Sequence, residues 1–145
     1  MQQVDDAYQI VWLIRRLFRA LAQKSDDSLR DLGISVADRA VIEFLYPDEK
    51  LSVPEIAERY QVSRQHVQIT VNGLLSAGLL TTDSNPRHKR SPLIALTAKG
   101  KGMFRTIKAR DTKAVKELFA NISMKHRRIT QQTLQTLLNE VKRGD

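Results

Sequence analysis

A mainly α-helical fold with one short β-hairpin is what the sequence predicts, and three observations carry that prediction. Apolar residues recur at spacings of three and four over 7–22, 98–122 and 124–143, the period of a helix with one apolar face. Two further helical patterns, 53–60 and 63–77, are separated by a turn of only two residues, Gln61 and Val62. Two short runs rich in Leu, Ile and Thr, 79–82 and 93–96, then flank a turn-rich basic stretch, the pattern of a hairpin with a long loop. With 145 residues, 41% of them apolar, the chain suits one compact domain with helical extensions better than two independent domains.

The first helix carries Ala7, Ile10, Val11, Ile14, Leu17, Phe18 and Leu21 on one side and Gln9, Arg15, Arg16, Arg19 and Gln23 on the other. Residues 24–35 are polar and aperiodic, contain Gly33, and read as a connector. Ser35, with Asp38 three residues on, is a capping pattern that opens a helix bearing Ala40, Val41, Phe44 and Leu45. Pro47 ends it near Tyr46, because the residue before a proline is steered away from helical geometry. Ser52-Val53-Pro54-Glu55 repeats the capping pattern, with proline in the first turn, where a missing N–H does little harm. Ser63 caps the next helix, whose inward positions are Val67, Val71, Leu74 and Leu75, and Gly78 supplies a left-handed stop. Thr97 caps a helix bearing Phe104, Ile107, Val115, Leu118, Phe119 and Ile122. Ser123 opens the last one, with Ile129, Leu134, Leu137, Leu138 and Val141 inward.

Composition narrows the function classes. The chain has no cysteine, which excludes disulfides, thiolate metal sites and thiol redox sensing. Its first residues, MQQVDDAYQI, lack a basic and then apolar leader, and no run approaches the roughly 18 apolar residues of a membrane span. A cytoplasmic protein with no membrane partner is therefore expected. The net charge of +8 favours a polyanionic partner. Its placement is more telling, since residues 1–58 carry 7 Lys/Arg against 11 Asp/Glu, a net of −4, and 59–145 carry 17 against 5, a net of +12. From 84 to 116, ten basic residues are opposed only by Asp111. By itself such a run also describes an ordinary solvated face.

The order of elements gives that charge a use. The major groove of duplex DNA is about 12 Å wide and admits a single α-helix, held out from the body by a second helix set at a steep angle. The helices at 53–60 and 63–77 have that layout, with the small Ala57 where they would cross and Val62 and Val67 filling the angle. The outward face of the second carries Arg64, Gln65, Gln68 and Asn72, with Ser63 and His66 flanking its start. Arg pairs with guanine and Gln or Asn with adenine, while Ser and His reach phosphates. No acidic residue occurs between Arg59 and Thr82. The hairpin loop supplies Asn85, Arg87, His88, Lys89 and Arg90, and a basic wing beside a recognition helix lies over the neighbouring minor groove. Arg87 is the residue expected at its tip.

From about Ser35 to Gly102 the chain resembles the MarR (multiple antibiotic resistance regulator) family. The resemblance rests on Ser52-Val53-Pro54-Glu55-Ile56-Ala57, Val62-Ser63, Val67, Leu74, Ala77-Gly78-Leu79-Leu80, Asn85-Pro86-Arg87, Arg90 and Leu96-Thr97-Ala98-Lys99-Gly100. It implies a winged helix-turn-helix DNA-binding domain over 35–102. Residues 1–34 and 103–145 would then form a helical dimerisation region. The expected function is a homodimeric, sequence-specific transcriptional regulator, a repressor, reading a pseudo-palindromic site in double-stranded DNA. The apolar stripes of the terminal helices independently favour a second copy, since one small domain could not cover them. Four positions depart from the family's pattern. Asn85 stands where an aspartate usually braces the wing arginine, Ile69 where arginine is frequent and Leu75 where a charged or polar residue is usual, and Gly73 sits inside the recognition helix.

No Gly-rich phosphate loop, nucleophile elbow or spaced His/Asp/Glu cluster is present, so no catalytic residue, metal ligand or cofactor is expected. His66, His88 and His126 fall in separate elements. The resemblance also implies a small-molecule effector, phenolic or anionic, that releases DNA. Tyr8, Trp12, Phe18, Phe44 and Tyr46 could line its cleft or serve as plain core, and no ligand residue is assigned. The alternative from another class is a winged-helix interaction module whose basic face meets an acidic protein partner.

Overall fold

A computed structural model describes residues 2–144, with side chains from Asp5 onward. Among the described residues the chain forms six helices and a three-stranded sheet. The first helix, α1 (Gln2–Arg30), runs eight residues beyond the amphipathic stretch 7–22. The expected connector is thus helical over most of its length. Its polar residues contain no glycine or proline before Gly33, and its own surface contacts suit a helix: Asp27 accepts from Gln23 Nε2 at 3.2 Å and pairs with Arg30 at 2.9 Å. The helix ends where Leu29 is buried and Gly33 turns the chain at φ +68°.

Local capping sets the next three helices. In α2 (Val36–Leu45) the Ser35 hydroxyl accepts the Asp38 N–H and the Asp38 carboxylate accepts the Ser35 N–H, both at 3.0 Å. Tyr46 leaves helical geometry at ψ 140°, as the following proline requires. In α3 (Val53–Tyr60) Ser52 and Glu55 make the same reciprocal pair. Gln61, in left-handed geometry, turns the chain into α4 (Arg64–Ser76), capped by Ser63. Gly78 stops α4 at φ +75°. A Cβ at Gly73 would meet nothing within 4 Å. Gly73→Ala is therefore expected to stabilise the fold by about 1 kcal/mol, the helix-propensity gain, as a raised urea midpoint; a lowered midpoint would show that the helix needs its glycine.

The sheet contains β1 (Leu51–Ser52), β2 (Leu80–Asp83) and β3 (Leu93–Leu96) in the order β1-β3-β2, all antiparallel. The hairpin was expected, but β1 was not. Its two residues are too few to show a period, and Leu51 finds its place only by pairing with Ile94. On β3, Ile94 and Leu96 are buried, closing a core formed with Ile42 and Leu45 of α2, Ile56 of α3 and Val67 and Val71 of α4. The long helix α5 (Ala98–Leu118) adds Phe104 and Ile107 to it. Tyr46 packs on Phe104 with ring centroids 4.4 Å apart.

The chain divides into two compact units, residues 1–108 and 109–145. The second holds the end of α5 and all of α6 (Met124–Arg143), none of whose residues is buried. Ile129, Leu134, Leu137, Leu138 and Val141, expected to face inward, face solvent in the single chain, as do Val115, Leu118, Phe119 and Ile122. The α5–α6 corner is held by Arg127, which donates to the Ile122 carbonyl at 2.9 Å and to that of Phe119 while lying over the Phe119 ring. Both carbonyls lie in the turn just past α5, so the cation satisfies acceptors that the end of the helix leaves open.

Candidate nucleic-acid interface

The exposed face of α4 follows from what its other face buries. Val67, Val71 and Leu74 are inside, and Leu75 packs at the margin of the core. Ser63, Arg64, Gln65, His66, Gln68, Ile69 and Asn72 are left in solvent. At the start, Ser63 Oγ accepts the His66 N–H at 3.1 Å, while Ala57, buried under the turn, accepts the Val62 N–H at 3.2 Å. Along the face, Gln68 Nε2 donates to Asn72 Oδ1 at 2.8 Å, so the two amides form one unit a helical turn long.

The far end of α4 is fastened by Lys99 and by Thr97, which was expected only to cap α5. Lys99 Nζ donates to the Ala77 carbonyl at 2.9 Å and Thr97 Oγ1 to that of Gly78 at 2.7 Å, while the Thr97 N–H meets the Leu79 carbonyl at 3.1 Å. Thr97 Oγ1 also accepts the Gly100 N–H at 3.1 Å, capping α5. These contacts span about twenty residues of sequence, so only the order Leu96-Thr97-Ala98-Lys99-Gly100 could have signalled them. They lock α4 to the first turn of α5.

In the wing, Asn85 turns inward. Its Nδ2 donates to the Ser91 carbonyl at 2.8 Å and its Oδ1 accepts the Arg87 N–H at 3.0 Å, which closes the loop base and shapes the backbone before Arg87. Arg87, His88, Lys89 and Arg90 are exposed. A groove of about 820 Å³ between α3, the start of α4 and the wing is lined by Arg64, Asn85, Arg87 and His88. A second, of about 410 Å³, is lined by Arg64, Gln65, Gln68 and Arg90. Arg64 borders both, so the structure gathers the helix and wing cations around one residue. Asn72 and Lys89 line neither groove.

The Glu55 carboxylate, which lines the first groove, is already engaged. Glu55 is held below the usual carboxylate range, first by the Ser52 N–H and hydroxyl (3.2 and 2.9 Å) and then by the charges of Arg59 and Arg87. At the sheet's edge Lys50 and Asp83 pair at 2.9 Å, which raises the ammonium pKa and lowers the carboxyl pKa. Among the described residues no three His, Asp or Glu side chains gather as a metal ion would require, and no helix is long and apolar enough to cross a membrane.

A family model described as the MarR family matches residues 32–91, from the turn before α2 through the wing loop. Rv2011c of Mycobacterium tuberculosis, an uncharacterised protein, is 33% identical over 109 residues, 74% of this chain and 69% of Rv2011c. The crystal structure of a MarR family transcription regulator superposes with a TM-score of 0.83, covering 99% of this chain and 97% of that one at 22% identity. The chain belongs to the MarR family. Its fold is the winged helix-turn-helix of that family's transcription regulators. FabT of Streptococcus pneumoniae, a neighbour solved in complex with DNA, matches at TM-score 0.81 and 16% identity over 96% of this chain and 99% of FabT.

Asn85 replaces an ion pair to the wing arginine with two hydrogen bonds along the loop backbone. Gly73 leaves a side-chain gap beside a cavity of about 350 Å³ behind α4, lined also by Leu32, Ile34, Leu74 and Met103. The aromatic residues considered for an effector cleft do not line that cavity. Tyr8, Trp12 and Phe18 are exposed on α1, while Phe44 packs edge-on to Tyr60 and Tyr46 on Phe104.

Proposed function

We propose that this MarR-family protein is a homodimeric repressor that reads a pseudo-palindromic site in double-stranded DNA. It would use residues 35–102 to contact the duplex and the helices of 1–34 and 103–145 to dimerise, acting in the cytoplasm and without catalysis. The observation that carries the reading is the α4 face. Arg64, Gln65, Gln68 and Asn72 stand exposed with no acidic residue from Arg59 to Thr82, and that face borders the wing cations through Arg64. FabT, with the same fold, was solved on DNA, which supports the reading. On this proposal, Ser63 and His66 meet phosphates and Arg64, Gln65, Gln68 and Asn72 meet base edges. Asn85 shapes the wing that carries Arg87, His88, Lys89 and Arg90 to the minor groove. Bound across a promoter, such a dimer excludes polymerase. The family resemblance adds a small-molecule effector, to which no residue is assigned.

The test is selection of bound sequences from a random duplex pool, followed by anisotropy titrations at several salt concentrations. A two-fold symmetric motif and a steep fall of affinity with salt are expected. Arg64→Ala should cost about 1–3 kcal/mol and relax preference at one base pair. Arg87→Ala should weaken all duplexes alike and lower the salt slope by about one. Absence of salt-sensitive duplex binding would falsify the proposal; capture of an acidic protein by the α4 face would then take its place.

A further inference from the structure

Ile69 stands on the exposed side of α4, 66% accessible, amid polar neighbours: Gln65 and His66 lie one turn before it, Gln68 beside it and Asn72 one turn after. It serves no packing role in the chain, and a β-branched residue is not a favoured choice for a solvated helix position. The next position along its own ridge is Gly73, which has no side chain to shield it. The isoleucine thus projects from the centre of the face next to the Gln68–Asn72 amide pair. In the major groove, an amide side chain suits adenine N6 and N7, and the partner thymine presents on the same edge the one apolar group there, its C5-methyl. A carboxamide and an aliphatic side chain side by side are therefore complementary to a single A·T pair or an adjacent step.

We propose that Ile69 is a specificity-determining residue that seats on the C5-methyl of a thymine in each half-site, biasing the centre of the α4 footprint towards A·T pairs. This deepens the DNA-binding reading of the α4 face and rests on it. The contact is uncharged, so Ile69 sets which base pair is accepted while Arg64 and the wing cations set how the duplex is held. Its chemistry also distinguishes thymine from deoxyuridine, which differs only by that methyl.

The experiment uses the full-length protein and a duplex obtained by selection from the random pool, with each thymine of the half-site replaced in turn by deoxyuridine. One position per half-site should weaken wild-type binding by about fourfold, the effect of one buried methyl group. Ile69→Ala should bind the thymine duplex about as weakly as wild type binds the deoxyuridine duplex, and should no longer distinguish the two. Ile69→Val, which keeps the branched methyls, should retain most of the discrimination. Salt dependence should be unchanged in both variants, and their melting curves should match wild type because the residue is exposed. Wild type that binds its selected duplex but ignores every deoxyuridine overturns the Ile69 proposal and leaves the DNA-binding reading intact. An Ile69→Ala protein that still discriminates also overturns it. Failure to bind any duplex overturns both.

Discussion

Replacing Leu17 and Leu138 together by glutamate is expected to yield a monomer in sedimentation and to weaken binding to a two-fold symmetric duplex by about 100-fold or more. Leu17 is 57% and Leu138 48% exposed in the single chain. Neither supports the core of its own unit, so a glutamate at either position leaves the monomer fold intact. On the proposed dimer, what it removes is apolar area that the second copy covers. Burying a leucine contributes about 1.5–3 kcal/mol, and in a two-fold interface each substitution counts twice. Carboxylates placed in such a seam must also be desolvated without a partner. The DNA effect follows because a dimer delivers its second winged helix at high effective concentration once the first is bound, and a monomer cannot. A variant that sediments as a dimer and keeps full affinity would show that these faces do not join copies.

Gly100→Ala is expected to lower the melting temperature by about 10 °C, corresponding to roughly 3 kcal/mol, the upper end of overpacking costs. An added Cβ would lie 2.1 Å from the Leu79 carbonyl oxygen and 2.9 Å from Leu96 Cδ2. A side chain can rotate away, but the backbone oxygen cannot, and it is also the acceptor for the Thr97 N–H. The first turn of α5 must therefore lift, carrying Lys99 and Thr97 off the end of α4. DNA affinity should fall along with stability. Gly102→Ala is the control, since its Cβ would meet only Arg105 Nη2 at 3.8 Å, an ordinary contact in a helix. It should be neutral or stabilising by about 1 kcal/mol. Equal melting temperatures for the two variants would show that the close approach at Gly100 carries no energetic consequence.

Features legible in the sequence were those whose cause is local. The Ser35/Asp38 and Ser52/Glu55 pairs announce their helices because both partners of each bond lie within one turn, and Gly78 announces a stop through its own backbone. Misread features have distant or absent causes. The polar stretch after Gln23 is helical because nothing in it breaks a helix, and polarity alone is no breaker. Strand β1 exists only through its pairing with β3, and the role of Lys99 only through Ala77, which lies 22 residues earlier. The stripe on α6 was correctly grouped yet faces solvent, because periodicity says which residues share a face and not what lies against it. Of the candidate site, side-chain identities and their common face were readable. The inward turn of Asn85 was not, since its partner Ser91 lies across the loop.

The mutual bond between Gln68 and Asn72 bears on how such a protein would travel. Over a base pair that offers neither amide a partner, the two remain bonded to each other, so the Gln68 Nε2 donor and the Asn72 Oδ1 acceptor stay satisfied as the helix passes through the groove. Only an edge that offers more than they offer one another draws them apart. On the proposed reading, a mismatched site therefore meets a smooth surface rather than a broken one. Movement along DNA held by charge alone would stay easy until the right edge halts it.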